Sequence, residues 1–388
     1  MNNSQTVYSP NGCFVDCIYS IAGFSTIIQI RFSNLNVKTQ IREFRKMNIV
    51  FDCGSFIPEI AHSKHIFITH GHCDHIGATI QHARVSSKTN AEPGTVYYMP
   101  PECVGSLTDA KAAFERLDAD DIKMNIQPMT PQDTPINIGS GFSVFSFPTT
   151  HRVTSQGYCI KHTKEQLLPQ YSEMDKDSLR KLILSNQVQP VSERFQIKHM
   201  VDSYEIAYTG DTTIDALINN PINEFLLSVP ILLIEMTYID GDRNEGRDRG
   251  HIHIDDFVEY HERFQNSYII FLHLSNKYQR KNVGHENILD LLRKKVPEIL
   301  HERIGVSLKS FGAPEFISPL LERRSSVVTG LVIKEKEIEE CRGPFEVVGE
   351  EAVAVVGKES LNNNNSSSSN IILLCELCGQ STNNSSKK

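Results

Sequence analysis

Short apolar runs recur along the chain, and five of them stop at or just before a residue that carries chemistry. Ile66-Phe67-Ile68 reads as a buried strand that ends ahead of His70. Phe142-Ser143-Val144-Phe145-Ser146-Phe147 alternates apolar and polar with period two and delivers the chain to His151. Glu205 to Tyr208 runs into Asp211, Ile231 to Ile234 into Glu235, and Tyr268 to Leu272 into His273. Strands that end this way can gather their terminal side chains at one rim of a sheet, however far apart they lie in sequence.

Other segments fill in around these. Ala22 to Thr26 reads as a turn feeding a strand at Ile27 to Ile30. Met47 to Phe51 is a further strand, stopped by Asp52-Cys53-Gly54, where Asp52 suits a plain sheet edge and a support for the site equally well. Val96 to Met99 reads as a short strand, and Leu107 to Leu117 and Asp255 to Phe264 as helices. Residues 1 to 12 are polar and read as a loose start. Lys161 to Asp202 is a charged, Gln-containing insertion without clean periodicity.

The character changes after Gly312. Val327 to Ile333 and Glu346 to Val356 suggest strands, Lys334 to Glu340 a solvated charged run, and Asn362 to Ser369 a low-complexity linker that cannot build a core. The division expected is therefore a loose 1–12, one domain over 13–312 and an extension over 313–388. Cys375 and Cys378 have the spacing of half a zinc site, but no second pair follows, which favours two free thiols.

Composition narrows the class. A chain of 388 residues with 39% hydrophobic and 22% charged residues can bury a substantial core. No apolar run approaches the ~20 residues of a membrane span, and the first residues lack the basic start and apolar core of a secretory signal. Nine scattered cysteines argue for reduced thiols, hence a cytoplasmic or nuclear setting. A net charge of -8 argues against wholesale binding of nucleic acid, though local basic patches remain open to it.

The densest chemistry is Thr69-His70-Gly71-His72-Cys73-Asp74-His75-Ile76-Gly77. With 15 histidines in the whole chain, three of them and an aspartate within six positions is a metal-binding pattern rather than a chance surface loop. We read these residues on the loop between the strand ending at Ile68 and a helix over Gly77 to Arg84. Alternation along an extended loop would let His70 and His72 grip one ion, while Asp74 and His75, on the next bend, face a second. Imidazole and carboxylate together suit zinc.

This motif, followed by His151, Asp211 and His273, resembles the metallo-β-lactamase superfamily of dinuclear zinc hydrolases. Within it, the chain is similar to ribonuclease Z, the tRNA 3′-processing endonuclease, especially the short plant form. The further matching stretches are Ser155-Gln156-Gly157-Tyr158, Ala207 to Thr212, Glu235-Met236-Thr237, Gly250-His251-Ile252-His253 and His273 to Tyr278. The likeness runs from about Tyr19 to Phe311.

The resemblance implies an α/β fold, a four-layered αβ/βα sandwich with a dinuclear metal site at the sheet rim. It assigns His70, His72 and His151 to one zinc ion, Asp74, His75 and His273 to the other, and Asp211 to both. It makes His251 the group that protonates the leaving oxygen, Glu235 its orienting partner, and Asp74 a helper in activating the nucleophile; His253 suits packing instead. Its substrate would be precursor tRNA, cut after the discriminator base to leave a tRNA 3′-hydroxyl and a trailer 5′-phosphate, and its assembly a homodimer whose arm grips tRNA.

The chain departs from that family in two places: 161–202 stands where the arm belongs but lacks the Gly-Pro-rich sequence of many bacterial arms, and the likeness does not cover the tail. We expect phosphate contacts from Arg243, Arg247 and Arg249 before His251, and from Lys277, Arg280 and Lys281 after His273. The alternatives are a hydrolase of this fold acting on a small ester, thioester or phosphodiester, which needs neither Glu235 nor His251, and a silent RNA-binding paralogue, in which the seven ligands would have decayed.

Overall fold

The computed structural model describes residues 6–35, 42–89, 94–189, 196–280, 285–308, 315–317, 355–357 and 372–374. It divides into two compact units, Met1–Ser326 and Val327–Lys388. In the second, Val355–Gly357 pairs antiparallel with Ile372–Leu374. Cys375, Cys378 and the runs 327–333, 334–340 and 362–369 lie outside the described residues.

The first unit opens with β1 (Cys13–Ala22), β2 (Ser25–Leu35), β3 (Arg42–Phe51) and β4 (His65–Phe67), continues through helices α1 (Cys73–Ile76) and α2 (Thr79–Thr89) to β5 (Val96–Met99), then through α3 (Pro101–Asp118) to β6 (Asn125–Pro128). Strands β7 (Ile136–Gly139), β8 (Phe142–Pro148), β9 (Gln156–Leu167), β10 (Lys198–Tyr208), β11 (Ile231–Glu235) and β12 (Tyr268–Leu272) build a second sheet. The chain then returns through β13 (Leu274–Ser275) to the edge of the first sheet, beside β1, before β14 (Ile304–Val306) and β15 (Glu315–Phe316) complete the second. Strand β15 carries that sheet past residue 312.

Three apolar clusters show the layering. Phe32, Phe51, Phe67, Tyr158, Tyr208 and Leu233 are buried between the sheets. Ile27, Val50, Ile66 and Tyr97 point the other way and meet Ile80, Ala83 and Leu107 of α2 and α3. Leu232, Ile234, Ile269 and Phe271 meet Phe257 and the helix His285–Lys295 through Leu289 and Leu292. Successive side chains of a strand face opposite sides, so strands buried on both faces read as unbroken apolar runs, as Ile231 to Ile234 does. Helices outside two facing sheets make the four-layered αβ/βα sandwich of the metallo-β-lactamase fold.

Three local readings need correcting. The metal motif is not all loop, because Asp74 and His75 stand in the single-turn helix α1 and the longer helix begins at Thr79. The stretch 255–264 is shorter as an α-helix, Ile254–Glu259, followed by a 3-10 turn at His261–Arg263. Residues 6–12 are tied down, with Val7 buried and the Ser9 amide donating to the Cys13 carbonyl at 2.7 Å.

The insertion 161–202 has a defined form. Strands β9 and β10 run on antiparallel from Tyr158↔Tyr208 to Leu167↔Lys198, beyond the sheet core. Between them, α4 (Lys176–Val188) starts on Asp175, whose carboxylate accepts from the amides of Asp177 and Ser178.

Gly54 shows how closely α1 is docked. A Cβ there would stand 1.9 Å from the Asp74 carbonyl oxygen and 2.8 Å from the Thr26 amide nitrogen, both backbone atoms that cannot swing aside. Gly54→Ala should therefore push α1 off β3 and cost about 1–3 kcal/mol, read as a lower urea midpoint together with weaker metal retention. Unchanged stability and metal retention would refute this docking.

Candidate metal centre

Two groups of side chains converge at the rim where β4, β8, β10, β11 and β12 end. In the first, His70 Nε2 lies 3.0 Å from His72 Nδ1, and His151 Nε2 lies 3.3 Å from the same atom. Asp211 Oδ2 stands 3.7 Å from His70 Nε2 and 3.9 Å from His151 Nε2. In the second, His75 Nε2 and His273 Nε2 are 3.3 Å apart, and Asp74 Oδ2 is 3.7 and 3.4 Å from them. Asp211 Oδ1 completes this group at 3.3 Å from His75 and 3.4 Å from His273. One carboxylate thus offers an oxygen to each group.

The proton positions follow from what each ring's other nitrogen touches. His75 Nδ1 is 2.7 Å from the Asp52 carboxylate and His151 Nδ1 is 2.8 Å from the Gly250 carbonyl, so both nitrogens donate. Thr69 Oγ1 donates to Asp52 and so accepts from His70 Nδ1 at 3.0 Å. Thr237 Oγ1 donates to Glu235 at 2.8 Å and accepts from His273 Nδ1 at 3.0 Å. Four Nε2 lone pairs are left facing inward toward Asp211.

Nitrogen lone pairs and a carboxylate do not face each other at this range without a cation between them. Asp211 Oδ1 is buried without a hydrogen-bond partner among the described residues. Burial alone would push the pKa of His75 down, but Asp211 and Asp52 on either side outweigh it and raise it well above the ordinary range, a pull of two carboxylates that a cation among them would take over from the proton. Burial, reinforced by neighbouring histidines, pushes His70 well below that range, into its neutral, ligating form. A tetrahedral ion with bonds of ~2.0–2.2 Å separates its ligands by about 3.3–3.6 Å, close to the spacings found, so the residues fit a metal ion at each group.

Two buried carboxylates organise the rim in the same way. Asp52 holds His75 directly and His70 through Thr69, and it also accepts from the Tyr208 hydroxyl at 2.7 Å. Glu235 holds His251 Nδ1 at 3.1 Å and His273 through Thr237, while the amides of Ile252 and Thr237 donate to its two oxygens. Asp52 and His273 both take a left-handed backbone, φ 57° and 59°, a strain of about 1–3 kcal/mol per residue that surrounding contacts must hold. For His273, the Ser20 hydroxyl supplies one at the backbone amide, 3.0 Å away.

Partners of this kind typically set metal affinity by ~10–100-fold. Asp52→Asn should weaken metal binding by about that factor in a chelator-competition titration, and an unaltered affinity would show that Asp52 only closes the strand.

His251 stands beside both groups, its ring centroid 5.1 Å from that of His151 and 5.5 Å from that of His273. Burial opposes its charged form, but Glu235 prevails and raises its pKa above the ordinary histidine value. His253, by contrast, is buried as the N-cap of Ile254–Glu259, where its side chain accepts from the Asp255 amide.

The basic residues read as phosphate contacts are differently placed. Arg243 and Arg247 both pair with the fully buried Asp256, and Arg243 also with Glu259. A buried carboxylate needs such partners, which accounts for both arginines without RNA. Lys277 pairs with Asp240 at 2.6 Å and lies over the rings of Tyr238 and Tyr278. Arg249 holds Glu245 at 2.9 Å on the surface, a weak pair open to exchange. The Arg280 side chain and Lys281 lie outside the described residues. Arg152, next to His151 and exposed, has no carboxylate partner among the described residues; adjacency to a metal-type histidine was its only sequence signal.

No protein-family model matches the sequence. Among curated proteins, tRNase Z TRZ1 of Arabidopsis thaliana is 28% identical over 242 residues, 62% of this chain and 82% of its own length. The chain and TRZ1 are homologues. The chloroplastic tRNase Z TRZ2 of the same plant is 26% identical over 251 residues, covering 64% of this chain and 68% of the relative. The solved short form of human tRNase Z aligns with 68% of this chain and 93% of its own, at 13% identity and a TM-score of 0.44.

Proposed function

We propose that this chain is a zinc-dependent endoribonuclease of the ribonuclease Z type, which removes the 3′ trailer of precursor tRNA. The observation that carries the reading is the Glu235–His251 pair beside the two metal-type groups, in a chain homologous to proteins named tRNase Z. His70, His72 and His151 would hold one zinc ion and Asp74, His75 and His273 the other, with Asp211 serving both. When bound, the two ions supply an activated water and positive charge for the phosphate oxygens.

The chain's own residues do the rest. A phosphodiester's ribose oxygen leaves poorly unless it is protonated, and His251, whose protonated form Glu235 favours, would give that proton. Asp74 Oδ2 accepts from the Gly23 amide at 2.7 Å, which leaves it oriented at the rim as a helper for the attacking water. Arg249 and Arg152 are the cations most available for tRNA phosphates. The reading includes a homodimer, with the β9–β10 arm of one subunit gripping tRNA cut by the other. Cys13, Cys53, Cys73, Cys103 and Cys159 are free thiols, as a cytoplasmic or nuclear setting would keep them. Among the described residues no helix is long and apolar enough to cross a membrane.

The test is to incubate metal-loaded and chelator-treated protein with a 3′-extended precursor tRNA and map the ends. Metal-dependent cutting after the discriminator base supports the reading. Folded, zinc-replete protein that spares precursor tRNA but hydrolyses a small phosphodiester or thioester overturns it in favour of a small-substrate hydrolase.

A further inference from the structure

The arm leaves the sandwich at an irregular point of β10. Tyr204 pairs with Lys161 and Ile206 with Ile160, so Glu205 is the extra residue of a bulge. Bulges bend a strand and sharpen its local twist, and so re-aim whatever lies beyond them. Glu205 is also fully buried, and a carboxylate is costly to bury unless hydrogen-bond donors surround it.

Those donors come from a distant part of the sequence. A turn over 9–12, just ahead of β1 in the other sheet, presents Asn11 to the bulge. The Asn11 amide donates to Glu205 Oε2 at 3.2 Å, while Asn11 Nδ2 donates to Glu205 Oε1 at 2.6 Å and to Ser203 Oγ at 3.0 Å. Ser203 Oγ in turn donates to Glu205 Oε1 at 2.8 Å. All three N–H groups of one asparagine are thus engaged at the arm root, two of them on a charged acceptor, the stronger kind of hydrogen bond. The turn is itself held firmly. Gly12 has φ 89°, its amide donates to the Ser9 carbonyl at 3.0 Å, and a Cβ there would stand 2.1 Å from the Ser33 carbonyl oxygen of β2. The Cys13 amide donates to Ser9 Oγ at 3.0 Å and closes the turn onto β1.

We propose that Asn11 is a positioning residue for the arm: anchored to the first sheet, it clamps the Glu205 bulge of the second and so sets the direction in which β9 and β10 run out. The clamp has leverage. Lys198 lies about 23 Å along β10 from Glu205 at ~3.3 Å per residue, so a rotation of about 10° at the bulge moves that end by about 4 Å. Resting on the nuclease reading above, in which this arm grips tRNA, a loosened clamp weakens substrate capture and spares the chemistry.

Asn11→Ala protein is compared with the parent by hydrogen exchange and by kinetics, with metal content and unfolding midpoint as checks of its fold. Exchange in 161–167 and 198–204 should quicken about tenfold or more, as the loss of donors to a buried carboxylate implies, while Ile231–Glu235 and Tyr268–Leu272 keep their rates. KM on precursor tRNA should rise about tenfold, as when a second point of attachment is lost, with kcat and the hydrolysis of bis(p-nitrophenyl) phosphate unchanged. Asn11→Asp keeps the shape but sets a carboxylate against Glu205, and should have at least as large an effect. Arm exchange equal to the parent's, faster exchange throughout the sandwich, equal losses on both substrates, or an Asn11→Asp protein that matches the parent would each overturn the proposal. If the parent cuts no precursor tRNA, the nuclease reading fails, while exchange in the arm still decides whether Asn11 holds it.

Discussion

Replacing Asp211 with alanine should cost the protein both metal ions together and lower precursor cleavage by at least about 10³-fold, well beyond the ~10–100-fold typical of residues that only support a ligand. The expectation comes from its two oxygens, one 3.7 Å from His70 and the other 3.3 Å from His75. Replacing a residue such as His72, which stands only in the first group, should affect loading there more than at the second. Elemental analysis after dialysis, read beside the rate, separates the two cases. An Asp211→Ala protein that keeps two ions per chain would show that the groups are independent.

His251→Ala should lower kcat on precursor tRNA by about 10²–10⁴-fold while leaving metal content intact. The diagnostic is the leaving group. A p-nitrophenyl phosphodiester releases an oxygen that is stable as an anion, so its hydrolysis should lose far less. Equal losses on both substrates would make His251 a structural residue rather than an acid. The pH dependence expected of a general acid at His251 has a definite sign: its protonated form would be the active one, and Glu235 raises its pKa against the effect of burial. The protonated fraction therefore persists above the ordinary histidine range, and kcat should fall on the alkaline side as pH rises through that raised value.

Much of this centre was legible because its residues follow apolar runs. Ile231 to Ile234 and Ile269 to Leu272 are buried on both faces, and such strands declare themselves in one dimension. What supports the centre was not legible. Thr69 and Thr237 are single hydroxyls with no period, and Asp52 looked equally like a strand end, although its carboxylate takes bonds from His75, Thr69 and Tyr208, whose positions span 69 to 208. Strand β6 escaped because three of its four residues are exposed and carry no alternation. The arginine cluster before His251 read as a phosphate surface because its counter-charge, Asp256, becomes a neighbour only once Arg243–Asp248 packs beside Ile254–Glu259.

The arm illustrates a different kind of independence. Along β10 the burial alternates between exposed and half-buried up to Tyr204 and turns fully buried from Glu205, so the ribbon leaves the core at a sharp point. Beyond it, Lys161–Asp202 and Lys198–Glu165 pairs lace the two strands to each other rather than to the sandwich. In hydrogen-exchange terms such a ribbon is its own opening unit: its amides can exchange through local fraying at a free energy below that of global unfolding. The sheet that carries the metal-type residues is then insulated from sequence drift in the arm.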